Sequence, residues 1–119
     1  MGRNSDLAGR QCVPCRGGVR PLDSLEQEKL SRELDQGWRT VDSHHLEREF
    51  AFKNFRQAMT LANEIAEIAE DQKHHPDMLV GWGRLRITLF THAIDGLHEN
   101  DFILAAKIDA RCRLLGLSD

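Results

Sequence analysis

The chain has 119 residues, 40% of them hydrophobic and 29% charged, with a formal net charge of -3. That length holds one domain, that balance is the composition of a folded globular protein, and the slight acidity excludes a general attraction to nucleic acid or to an anionic membrane. No apolar run approaches the roughly eighteen residues of a bilayer span, the N-terminus has no apolar signal core, and Asp6 stands where a myristoylation site wants Ser or Thr.

Residues 1–21 are rich in glycine and proline and poor in apolar periodicity, so they read as a leader, flexible or draped over the surface of a domain covering 22–119. The leader holds Cys12 and Cys15, and Cys112 lies far away; three cysteines argue against a disulfide framework and for a reducing, cytoplasmic setting. Asp23 with Glu26, or Ser24 with Gln27, makes a capping box. It opens a first helix carrying Leu25, Leu30 and Leu34 and stopped by Gly37. Residues 38–41 and 46–52 flank the turn-like 42–45 and predict a hairpin, with His44 and His45 exposed in the turn. In its second strand Leu46, Arg48, Phe50 and Phe52 share one face.

Phe55, Ala58, Met59, Ala62, Ile65, Ala66 and Ala69 recur at the spacing that only a helix turns into one apolar stripe. Leu61 and Ile68 lie beside it, either widening the core stripe or seating a partner subunit. Pro76 ends that helix and drives His75 toward extended backbone. Residues 78–80 then form a short edge strand, and Gly81 and Gly83 allow a bend around Trp82. Residues 84–92 alternate as a long strand. Leu85, Ile87 and Leu89 face the helices, which sends His92 out on the opposite, polar face. A last helix, about 99–114, opens with the acids that a helix dipole favours. The order is α-β-β-α-β-β-α: an α+β two-layer sandwich, an antiparallel sheet of three to four strands with helices on one face.

The chemistry gathers on His74 and His75. Neighbouring residues on a helix diverge by about 100°, and zinc motifs space their histidines three to five apart, so a metal reading is weak. An ordinary imidazole titrates near pH 6.5 and both gives and takes protons at neutral pH, which suits acid/base work; two solvated histidines at a helix end is the plain alternative.

The wider pattern is Glu70-x-x-x-His74-His75-Pro76, then Trp82 and His92, then Gly96-Leu97 and Asp101. It resembles the signature of the pterin-4a-carbinolamine dehydratase family. Phe50-x-Phe52-x-x-Phe55 and Ala105-Ala106-x-Ile108-Asp109 extend the resemblance over about residues 20–113. It implies a dehydratase without cofactor or metal that converts 4a-hydroxytetrahydropterin to quinonoid dihydropterin and water, recycling the pterin of aromatic amino acid hydroxylases. His74, His75 and His92 are its implied catalytic and binding histidines: His74 and His92 for the hydroxyl and N5 protons, His75 for orienting the ring. Trp82 either contacts the ring or packs in the core. Asp77 and Asp101 are implied to fix imidazole tautomers, although Asp101 also suits the first turn of a helix.

Two positions depart from the family pattern. Lys73 stands where animal members carry an acid before the histidine pair, and His98 replaces the usual Ser or Thr cap, a loss of about 1 kcal/mol. The leader's Cys12-x-x-Cys15 resembles one in many bacterial members, but a single pair supplies only two of four zinc ligands. The family also implies a homodimer or homotetramer and, in animals, a second role as dimerisation partner of a homeodomain transcription factor. Here that role would rest on Leu61, Ile68, Ile103 and Leu104 on a helix exterior. A same-fold relative acting on another pterin, as in molybdenum cofactor metabolism, is a further alternative.

Overall fold

A computed structural model describes residues 6–15 and 17–117. The elements in order are α1 (Ser24–Ser31), β1 (Arg39–Val41), β2 (His45–Ala51), α2 (Phe55–Gln72), β3 (Asp77–Gly81), β4 (Arg84–Leu89) and α3 (Glu99–Leu114), with 3₁₀ turns at Leu7–Gly9 and His92–Ile94. The four strands form one antiparallel sheet in the order β1-β2-β4-β3. This is the expected α+β sandwich.

The two central strands carry the apolar face. Leu46 pairs with Leu89, Arg48 with Ile87 and Phe50 with Leu85, and all six side chains are buried. Alternation explains the set, since side chains two apart share a face. Arg48 nevertheless puts a guanidinium into the core at 1% exposure. Burial of a charge demands a partner, and Asp109 of α3 lies 2.6 Å away. The same carboxylate accepts the Trp38 indole N–H at 2.7 Å and the Asp35 backbone N–H at 2.9 Å. Burial pushes the Asp109 carboxyl up to about 6, against the pull of those donors. One residue thus fastens α3 to β2 and to the segment leading into β1.

Several expectations need correction. The capping box of Asp23 and Glu26 forms, but α1 ends at Ser31, well before Gly37. The chain turns there so that Leu34 enters the core and the Asp35 N–H reaches Asp109. Leu25 is 76% exposed, and Gln27 takes the buried side of α1, donating at 2.9 Å to both Leu22 O and Ser43 O. On α2 the buried stripe is Ala58, Leu61, Ala62, Ile65, Ile68, Ala69 and Gln72, while Phe55 and Ala66 face water. Leu61 and Ile68 are therefore core, and so are Ile103 and Leu104. That set offers no helix exterior for a partner.

α3 is buried on almost every side. The leader contributes to this: Leu7 is fully buried in the core, and Lys107 donates to Ala8 O at 2.8 Å. His98 also caps α3 better than expected, because its Nδ1 accepts the Asn100 N–H at 2.9 Å and the Asp101 side chain returns the favour to the His98 N–H. His98→Ala is expected to cost about 1 kcal/mol in chemical denaturation. At the β3–β4 turn Gly83 lies against the chain entering α2, and an added Cβ would stand 2.9 Å from Phe52 O. Gly83→Ala is expected to cost about 1–3 kcal/mol, read as a lowered denaturation midpoint at unchanged slope.

Candidate active site

Where α2 ends, Lys73 adopts a left-handed conformation (φ 57) and its N–H returns to Ala69 O, closing the helix with a non-glycine cap. Pro76 then holds the next step extended, which splits the histidine pair. His74 turns inward and His75 outward. His74 Nε2 meets Asp101 Oδ1 at 2.6 Å, with the imidazole mostly buried and the carboxylate wholly so. His75 Nε2 meets Glu70 Oε2 at 2.7 Å, both side chains being largely in solvent.

Asp101 is the keystone of this region. Its other oxygen, Oδ2, accepts the Thr91 hydroxyl at 2.8 Å and the His98 N–H at 2.9 Å. Thr91 in turn pairs with Gly96 across a closed loop, its N–H donating to Gly96 O at 2.8 Å. That loop carries His92. One carboxylate at the start of α3 therefore fixes both the first histidine and the loop of the third. Asp101 is thus both in contact with an imidazole and an acid of the first turn of α3.

His92 reaches the open side by a different route from the one expected. β4 stops at Leu89, and His92 opens the 3₁₀ turn His92–Ile94 rather than ending a long strand. The bridge between Thr91 and Gly96 competes with further strand pairing and bends the chain. The His92 ring lies against Phe90, centroids 4.2 Å apart, and Phe90 lies against His44 at 4.7 Å. His44 is half-buried rather than free in the hairpin turn, its Nε2 2.8 Å from Asp95 Oδ1. Asp42 and Ser43 before it both take positive φ, which swings the turn toward that loop.

His74, His75 and His92 line one cleft of about 470 Å³, together with Asp77, Phe90 and Thr91. Residues 12–15 of the leader also line it, as do Gln72 and Asn100, which bond to the leader. Trp82 is not brought to this cleft: it is 73% exposed in the two-residue turn joining β3 to β4, at the far end of the strand that Asp77 begins. Nor does it pack in the core, because Gly83 keeps the turn close to Phe52 and leaves the indole outside. Among the described residues no group of three or more His, Cys, Asp or Glu side chains is gathered to hold a metal ion. Cys12 is half-buried, and burial raises its thiol to about 11, which keeps it protonated. Thr91, Phe90, Asn100 and Gln72 escaped the sequence reading, since each is an ordinary element-end residue until the fold assembles them.

The site is thus a cleft in a two-layer α+β domain, lined by three imidazoles, one of them held by a buried carboxylate. The sequence model of the Pterin 4 alpha carbinolamine dehydratase family matches residues 20–111, and the chain belongs to that family. A protein of Rubrobacter xylanophilus provisionally named pterin-4-alpha-carbinolamine dehydratase is 57% identical, over 88% of this chain and 97% of its own. One of Nitrosomonas europaea with the same provisional name is 51% identical, over 87% and 91%. A crystal structure from Brucella melitensis, described as a transcriptional coactivator/pterin dehydratase, superposes with a TM-score of 0.70 at 34% identity, covering 76% of this chain and 97% of that one. A pterin dehydratase-like protein described as a RuBisCO assembly factor in the alpha-carboxysome gives 0.52 at 26% identity, over 63% and 88%. No helix among the described residues is long and apolar enough to cross a membrane.

Proposed function

We propose that the cleft binds 4a-hydroxytetrahydropterin and dehydrates it to quinonoid dihydropterin by histidine acid/base catalysis, without a cofactor. The observation that carries this reading is the shared cleft of His74, His75 and His92. In the reaction the C4a–O bond breaks as the N5–H electrons become the N5=C4a double bond; a base takes the N5 proton and an acid completes the departing water. The His74 Nε2–H donated to Asp101 leaves Nδ1 as the basic atom, and the buried carboxylate stabilises the imidazolium that forms. His74 is thus the N5 base. His92, whose ring nitrogens make no hydrogen bond to the described residues, protonates the hydroxyl. His75, braced by Glu70 at the rim, orients the ring.

In a coupled hydroxylase assay the wild-type chain is expected to accelerate formation of quinonoid dihydropterin. His74→Ala and His92→Ala variants with an intact rate would end this reading. The protein is proposed to work as a cytoplasmic homodimer or homotetramer. The open edge of β3, with Leu79 and Trp82 exposed, supports an assembly through that edge.

A further inference from the structure

The family match begins at residue 20, yet the cleft has a wall made of residues 12–15. This wall is built, not incidental. Asn100, only 2% exposed on the first turn of α3, accepts the Val13 N–H on Oδ1 at 3.0 Å and donates from Nδ2 to Val13 O at 2.6 Å. That reciprocal pair copies what a neighbouring strand would offer a backbone. Gln72, buried at the last turn of α2, accepts the Cys12 N–H on Oε1 at 2.8 Å, and the Cys12 thiol donates to Asn100 O at 3.6 Å. A buried amide at a helix end is costly unless it is bonded; Asn100 is satisfied by the Val13 main chain, and Gln72 by the Cys12 N–H together with the Gln11 and Asp71 side chains.

The main chain of this segment is therefore tied to the two helix ends that also deliver His74 and Asp101. The side chains of Val13 and Pro14 are left to line the cleft. Val13 is 56% exposed there, an apolar group with nothing of its own to cover it, and Pro14 follows it with a fixed backbone. The imidazoles of His74, His75 and His92 line the same cleft. A flat heterocycle bound there would set its proton-exchanging edge on the histidines and an apolar part on Val13 and Pro14.

We propose that residues 12–15 are a substrate-binding wall, pinned by Asn100 and Gln72, that holds the pterin ring against the histidines. This rests on the pterin reading of the cleft. The wall acts on binding and position, not on the proton transfers, so its loss appears in KM.

The test uses the full chain with Val13→Asp and Asn100→Ala. Dehydration kinetics are measured in the coupled assay, and Kd by fluorescence titration with 7,8-dihydropterin. Val13→Asp changes only an exposed side chain, so its fold is expected to match the wild type in thermal unfolding. Both variants are expected to raise KM and Kd about tenfold, with kcat kept within about threefold. Unchanged KM and Kd in Val13→Asp would overturn the wall, whatever Asn100→Ala does to stability. A wild-type chain that binds dihydropterin yet gives no acceleration would instead defeat the dehydratase reading, and the Kd of Val13→Asp would still decide the wall.

Discussion

His74→Ala and His92→Ala are each expected to lower kcat for dehydration by about 10²- to 10⁴-fold, the range that one positioned acid or base supplies. KM should change far less, since neither imidazole is proposed to provide most of the binding. Asp101→Asn should approach the His74 loss while leaving the imidazole in place. An amide in that position no longer stabilises the imidazolium, and it can donate to Nε2 and reverse the tautomer. The variant also gives up part of the bond to Thr91 and the cap of α3, so its thermal unfolding must be measured beside its kinetics. A fully folded Asp101→Asn chain with wild-type kcat would show that His74 works without its carboxylate.

The second large effect concerns stability. Asp109→Ala is expected to cost about 3–5 kcal/mol, because a buried ion pair is worth little as a pair but leaves a costly charge behind when one partner goes. Arg48 has no exposed side-chain surface to return to water. Asp35, 3.5 Å from its guanidinium and partly exposed, recovers some of the loss, which argues for the lower end of the range. The midpoint of thermal unfolding should fall by more than about 10 °C. Arg48→Met combined with Asp109→Leu should be much closer to wild type than either single change, since no uncompensated charge is then left inside. A double variant as unstable as Asp109→Ala would mean that the Trp38 and Asp35 bonds to this carboxylate, not the charge on Arg48, dominate the cost.

The sequence shows these parts unequally. Strand parity is a local property, so the buried faces of β2 and β4 follow from alternation alone, and the Asp23 capping box follows from four adjacent residues. The family pattern adds which histidines to compare. What alternation cannot show is why Arg48 tolerates the core side, because its partner is 61 positions away on a helix. The α2 stripe illustrates a second limit: seven regularly spaced apolar residues pointed to one face, and the buried face is rotated from it to take in Leu61, Ile68 and Gln72 and leave Phe55 and Ala66 in water, as the packing of α3, β3 and β4 against the helix dictates. The third limit is the end of β4. Residues 84–92 alternate well enough for one strand, and only the pairing of Thr91 with Gly96, sealed from below by Asp101, bends His92 out of it. Trp82 carries a related lesson, since an indole between two glycines satisfies either a core or a ligand pattern, while its place at the tip of a hairpin serves neither within one chain.

The turn at Leu7–Gly9 changes what the matched segment means physically. α3 has apolar residues around most of its circumference, and the leader is what dries one flank of it. A chain beginning at residue 20 would keep every histidine and every strand, but it would wet that flank and invite another molecule to cover it. The line at which the family's sequence model starts and the line at which water is shut out therefore fall at different points along this polypeptide.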